Sequence, residues 1–286
     1  MRPTLPLLAL LPLASASPAR RQASSPSIQA GGILSLPGDT ITSVSGTFRV
    51  PHLSIPVSGP YASRKGIYAF SIWIGIGGSP AFGVTTSCAG DNPGILRAGI
   101  DVFYNGFDDK PMVPYAWYEG GPRSDLGAFG YAGFNVDSGD LVKITVTADG
   151  NSVDAVIENF GRDVTTTAGK TPVQRDKPTY GLNERVGSSL CRSEAAWVVE
   201  DHMTETTPSL PVVLGNFTAV EFGELSVKSR SGGSVGSAKV VDILLPDQGG
   251  RLTKCEAVGT NGLSCKRVVE EVSRAVPRAD GSICEE

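Results

Sequence analysis

Helix signals are nearly absent from this chain of 286 residues, which argues against helical bundles and α/β folds. Histidine is almost as scarce, with only His52 and His202 present. A Ser–His–Asp or Cys–His centre would need one of them beside an activated nucleophile. His52 follows Pro51 in a Pro/Ser-rich loop and reads as a surface residue. His202 follows Glu200-Asp201 at a strand end and reads as structural, a local pH-sensitive group being the other possibility. Phosphate-binding loops and metal-ligand clusters are missing too, so neither cofactor nor metal is expected. Charge of one sign is also lacking: a net charge of −4 is mild acidity that argues against a nucleic-acid partner.

Long hydrophobic runs occur only at the start. MRPTLPLLALLPLASASPARR carries an early Arg, an apolar run from Leu5 to Ala14, and Ala14-Ser15-Ala16 before Ser17. The run is too short and too Pro-broken to span a membrane, and it fits a cleaved secretory leader over residues 1–16. Arg20-Arg21 offers a dibasic processing site, so residues 17–30 read as a short pro-segment or lead-in. A main domain is expected over 31–268, followed by a polar tail over 269–286, with a weak helix signal from Val268 to Arg274. The protein is expected to be secreted, extracellular and monomeric, without a membrane partner.

Strand signals fill the rest. With 35 Gly and 20 Pro for turns, segments 44–51, 70–78, 94–104, 113–122, 140–160, 195–203 and 216–225 alternate apolar with polar or small residues. The expected fold is all-β, an antiparallel sandwich of two large sheets of the concanavalin-like or jelly-roll type. Secretion makes disulfides plausible. Cys255 and Cys265 flank a segment containing the Asn261-Gly262 turn signal and are expected to bridge a hairpin. Cys88 and Cys191 would then form a long-range staple, leaving Cys284 free or removed by processing. The single glycosylation sequence, Asn216-Phe217-Thr218, falls inside an expected strand, a position that argues against its use.

One alternation is awkward. In GILRAGIDVFY (94–104), Leu96, Ala98, Ile100 and Val102 share an apolar face, which puts Arg97 and Asp101 on the other. Other strands carry similar second faces: Trp73 lies opposite an Ile row, Tyr115, Trp117 and Glu119 share a face, and Glu200 lies with Ala196 and Val198. Aromatics beside carboxylates on a sheet suggest a substrate groove. They are equally compatible with surface residues packed under a loop, and periodicity leaves both readings open.

The motifs WIGIGG (73–78), GILRAGID (94–101), YAWYE (115–119) and CRSEAAWVVED (191–201), in this order, resemble those of the eqolisins, the glutamic peptidases secreted by fungi. SVSGTFRVP, GDLVKITVTA and GNFTAVEF add to a resemblance running from about Gly31 to about Ile243. It implies a two-sheet sandwich with a groove, a disulfide matching Cys88–Cys191, and hydrolysis of peptide bonds in a polypeptide substrate under acid conditions. It also implies that Glu200 is the general base on a water, with Trp73, Asp101, Trp117 and Glu119 on the substrate-binding surface. The family's catalytic Gln, which holds the water and stabilises the oxyanion, falls on Arg97. Gly77, Tyr115, Gly120 and Ala196 also depart from the family pattern, and the four glutamines (Gln22, Gln29, Gln174, Gln248) cannot be slid into register. A guanidinium offers donors only, whereas an amide also accepts. The expected function is therefore a glutamic-type endopeptidase with altered or lost activity; the alternative is a non-catalytic peptide- or carbohydrate-binding sandwich. Arg97 is expected to pair across strands with Glu200 first and Glu119 second.

Overall fold

Period-two alternation of β-branched and aromatic residues with small or polar ones produces long antiparallel strands here, because each strand can bury one face against a second sheet. The computed structural model describes residues 27–77, 94–121, 127–149, 152–178, 190–202, 212–270, 276–277 and 283–284. A first eight-stranded sheet runs in the order β13 (Lys239–Val241), β1 (Gln29–Ser35), β11 (Glu194–Asp201), β3 (Ile67–Ile76), β4 (Ile95–Asn105), β6 (Tyr115–Gly121), β7 (Phe129–Gly130), with β5 (Lys110–Pro111) added to β4. A second eight-stranded sheet runs β10 (Gln174–Asp176), β9 (Ser152–Asn159), β8 (Leu141–Asp149), β2 (Ile41–Arg49), β12 (Ala219–Ser229), β16 (Gly262–Glu270), β15 (Gly250–Val258), β14 (Leu244–Leu245). The expected all-β sandwich is the observed architecture.

The interior lies between the sheets. Phe70, Ile72, Ile74 and Ile76 of β3 and Leu96, Ala98, Ile100 and Val102 of β4 are at most 1% exposed, as are Val44, Phe48, Val142, Ile144 and Val146 on the second sheet. Each large side chain buried this fully contributes about 1.5–3 kcal/mol. A one-residue slip of β4 would turn four of these outward and Arg97 inward, so the register is strongly held. Trp197 of β11 anchors the first sheet to the second: its indole Nε1 donates to the Ser45 carbonyl at 3.0 Å. Gly46 makes room for it, since a Cβ there would lie 3.2 Å from Trp197 Cδ1 and 2.8 Å from Leu225 Cδ2.

Cys255 and Cys265 face each other across β15 and β16 and form the expected disulfide. Cys191 is also disulfide-bonded; its expected partner, Cys88, lies outside the described residues, and of Cys284 only the backbone pairing with Val276 is described. Where a short helix from Val268 is expected, β16 instead continues to Glu270, which pairs with Arg251. The neighbouring strand supplies hydrogen bonds along the whole edge, which outweighs a weak helical preference. The lead-in is structural as well. Ser27 exchanges hydrogen bonds of 2.9 and 2.8 Å with Leu244, Asp201 N–H donates to the Ile28 carbonyl at 2.7 Å, and β1 runs beside β11 from Gln29 to Ser35.

The inner side of the β11 end holds a buried carboxyl. Asp201 is 0% exposed; Oδ2 accepts from Gln248 Nε2 at 2.9 Å, and Oδ1 has no hydrogen-bond partner among the described residues. Burial pushes Asp201 well above the usual carboxylate range, against the opposing pull of the Gln248 bond and the Arg267 charge. The Arg267 guanidinium is in turn pulled down to about 10 by burial, with Asp201 acting against it. Gln248 also donates to the Val212 carbonyl at 3.2 Å and accepts from Leu214 N–H at 2.9 Å, fastening that segment to the strand end.

A chain beginning at Ser27 should therefore fold, whereas one beginning at Leu36, lacking β1, should not; circular dichroism and protease resistance of the two truncations check this. The buried carboxyl gives a second expectation. A carboxyl whose folded-state pKa is raised stabilises the fold below its unfolded value near 4, and that contribution is lost as pH rises through the folded value. Asp201→Asn should therefore leave the urea midpoint at pH 4 nearly unchanged and gain about 1–3 kcal/mol over the wild type on the alkaline side. Parallel urea titrations at pH 4 and pH 8 measure the difference.

Candidate active site

The face of the first sheet turned away from the interior is built from three cross-strand rows. In the middle row Val198, Trp73, Gly99 and Trp117 stand side by side on β11, β3, β4 and β6. On one side lie Ala196, Gly75, Arg97 and Glu119; on the other lie Glu200, Ser71, Asp101 and Tyr115. This face is a recess rather than an open surface, because Val198, Trp73 and Trp117 are only 0%, 1% and 5% exposed. With Ile33 and Ala196 they form a small apolar cluster of their own, separate from the main core.

Two glycines shape the recess. A Cβ on Gly99 would lie 2.8 Å from both Trp117 Cζ2 and Trp73 Cβ, so its absence lets the two indoles close over the strand between them. A Cβ on Gly75 would lie 2.8 Å from Arg97 Cβ. With both positions empty, the Arg97 side chain extends over β3 and its guanidinium carbon sits 5.1 Å from the Trp73 ring and 5.3 Å from the Trp117 ring. Those are cation–π distances, each contact worth about 0.5–2 kcal/mol in a partly dry site.

The same guanidinium joins two carboxylates. Arg97 Nε donates to Glu119 Oε2 at 2.6 Å and Nη1 donates to Glu200 Oε2 at 3.1 Å. Burial alone would pull the guanidinium's pKa down, but Glu200 and Glu119 hold it above its ordinary value. Glu200 Oε2 also accepts from the Trp73 indole at 2.5 Å, so both indoles of the middle row tie down a carboxylate. The Trp117 indole donates to Asp101 Oδ1 at 2.7 Å, which also accepts from the Ser71 hydroxyl at 2.6 Å. Burial pushes the Asp101 carboxyl up, opposed by the Ser71 bond, His202, the Trp117 bond and Arg97.

All six residues singled out for chemistry or binding in the sequence thus meet on one face: Arg97, Glu200, Trp73, Asp101, Trp117 and Glu119. The order of Arg97's partners is reversed. Glu119 is the closer because it stands directly across from Arg97 on the adjacent strand, while Glu200 lies two strands away in the opposite outer row, across from Ser71. Trp197 points inward to Ser45 and takes no place in the recess. Three neighbours of the site escaped sequence reading. Ser71 shares its strand face with Trp73, a signal that alternation contained. Gln29 stands across from Glu200, and His202 Nδ1 lies 4.0 Å from Asp101 Oδ2 with its ring edge-on to Phe103 at 5.3 Å. Neither of these placements carried a local signal. Among the described residues no group of three or more His, Cys, Asp or Glu could hold a metal ion, and no helix is long and apolar enough to cross a membrane.

Known proteins are similar to this chain in sequence and in fold. The chain is 30% identical over 235 residues to aspergillopepsin-2 of Aspergillus niger, a match spanning 78% of this chain and 72% of that protein. The crystal structure of scytalido-glutamic peptidase with a peptide-based transition-state analogue superposes with a TM-score of 0.60 at 27% identity, covering 85% of this chain and 98% of that one. The model of the Peptidase A4 family matches residues 27–267, a span that takes in both sheets and every residue of the recess, and the chain belongs to that family, the eqolisins.

Proposed function

We propose that this protein is a secreted glutamic-type endopeptidase that cleaves polypeptides in the recess of the first sheet, with Glu200 as base and Arg97 in the place of the amide partner. The observation carrying this reading is the 3.1 Å contact between Arg97 Nη1 and Glu200 Oε2 over the Trp73 indole. It puts a carboxylate and a donor group side by side on a surface that buries two tryptophans. The transition-state analogue bound to scytalido-glutamic peptidase is peptide-based, which supports a polypeptide as the substrate here. The leader over residues 1–16 and a pro-segment within 17–30 support export.

The chemistry follows from the donors and acceptors. Glu200 takes a proton from a water as that water's oxygen attacks the scissile carbonyl carbon. The resulting oxyanion accepts from Arg97, which has five N–H donors and spends two on Glu119 and Glu200. Glu200 then passes the proton to the amide nitrogen as the C–N bond breaks. What Arg97 does not supply is a lone pair to hold the water, which an amide oxygen would. Water positioning then rests on Glu200, and turnover is slower than with glutamine at residue 97. A second reading, polypeptide or carbohydrate binding without turnover, is favoured by one specific observation: a single guanidinium already occupies both carboxylates.

Digestion of a denatured protein across the acid range, with products read by mass spectrometry, separates these readings. The wild type should cleave slowly, Glu200→Gln should lower kcat by about 10²–10⁴-fold, and Arg97→Gln should raise it about tenfold or more. An inert wild type that binds polypeptide, together with an active Arg97→Gln variant, would leave the family intact and make the natural protein a binder. Cleavage persisting in Glu200→Gln would remove that residue as the base.

A further inference from the structure

The only Asn-X-Ser/Thr sequence in the chain, Asn216-Phe217-Thr218, lies outside the strand expected to contain it: β12 begins at Ala219. Asn216 instead makes a single antiparallel bridge with Ser54, its N–H and carbonyl each bonded to that residue at 2.9 Å. Phe217 turns inward, 3% exposed, with its ring 4.7 Å from that of Phe70 in the interior. The alternation that buries Phe217 turns Asn216 and Thr218 outward, leaving Asn216 half-buried and Thr218 exposed. Phe70 faces the core and not the recess, so this site lies on the far side of the first sheet from Arg97 and Glu200.

We infer that Asn216 is a site of N-linked glycosylation. In that reaction Nδ2 forms a bond to the anomeric carbon of a lipid-linked oligosaccharide. The bond from that carbon to the lipid pyrophosphate breaks, the pyrophosphate leaves with the electron pair, and Nδ2 loses one of its two protons. The proton that remains is enough for the fold. Among the described residues the side-chain amide makes one hydrogen bond, Nδ2 to Ser54 Oγ at 3.3 Å, and a glycosylated amide still has one N–H to donate. There is also space for the sugar. Asn216 borders an open recess lined by Pro56, Val57, Ser58, Arg267 and Val268. Val57 there is 77% exposed, an apolar surface that a first sugar would cover. The hydroxyl of Thr218 makes no hydrogen bond among the described residues, so the sequence is not held by the fold for another purpose.

The inference rests on the export reading above, and the experiment keeps the two apart. The full chain is expressed with its own leader in a eukaryotic secretory host, and protein from the medium is weighed intact before and after treatment with an amidase that hydrolyses the asparagine–sugar linkage. A mass loss is expected, with Asn216 converted to Asp in the released peptide, and none in Thr218→Ala or Asn216→Gln. Thr218→Ala leaves the Asn216–Ser54 bonds in place, so the absence of glycan there cannot be laid to misfolding if its thermal midpoint matches that of the deglycosylated wild type. If the native leader exports nothing, the export reading fails, and the same chain behind an established secretory leader still presents Asn216 to the transferase. Unmodified Asn216 in protein secreted by either route overturns the inference.

Discussion

One guanidinium balancing two carboxylates inside a mostly dry recess is the interaction on which the rest of the site depends. The Arg97 side chain is 19% exposed, Glu200 15% and Glu119 7%, so none of the three can rely on water for its charge. Removing one member of such a group typically costs about 3–5 kcal/mol, because the remaining charges are left buried and uncompensated. The geometry around them serves this balance. Gly75 and Gly99 withhold the two Cβ atoms that would block Arg97 and the indoles, and each indole N–H is spent on a carboxylate, Trp73 on Glu200 and Trp117 on Asp101. The aromatic rings thus exclude water, attract the cation with their faces and hold the anions with their edges.

The strand carrying Glu200 is fixed from both sides. Its pleat sends Trp197 inward to the Ser45 carbonyl of the opposite sheet, Glu200 outward, and Asp201 inward again to Gln248. β1 covers its outer edge, with Gln29 across from Glu200. Consequently the position of the carboxylate at residue 200 depends on the core through its immediate neighbours in sequence, and on residues 29–35 through the hydrogen-bond ladder. Stability and site geometry are not separable in this strand.

How much of this was legible in the sequence depends on the range of the interaction. Period-two alternation assigned Arg97, Asp101, Trp73, Trp117, Glu119 and Glu200 to second faces correctly, because face membership is a local property of a strand. Register is not local. Nothing in GILRAGID shows that Glu119 stands across from Arg97 while Glu200 stands two strands away across from Ser71, and the partner order came out reversed for that reason. The pairing of Asp201 with Gln248 crosses 47 residues and two motifs that carry no sign of each other. The sandwich itself was legible from strand spacing, while the chemical identity of the dyad position came only from the resemblance. The boundary of β12 was misplaced by three residues, from Asn216 to Ala219, because Asn216-Phe217-Thr218 continues the alternation without continuing the ladder.

Arg97 sets the charge balance of the recess. With a neutral amide at residue 97, Glu119 and Glu200 would bring two negative charges to one dry site with no cation between them. Like charges so placed repel each other. Arg97 supplies that cation and is hydrogen-bonded to both carboxylates. In the core behind the same strand, burial presses Asp201 toward its neutral form against the pull of the Gln248 bond and the Arg267 charge. Glu200 and Asp201 thus stand at adjacent residues on opposite faces of one strand, the first in the recess beside Arg97 and the second in the core beside Gln248.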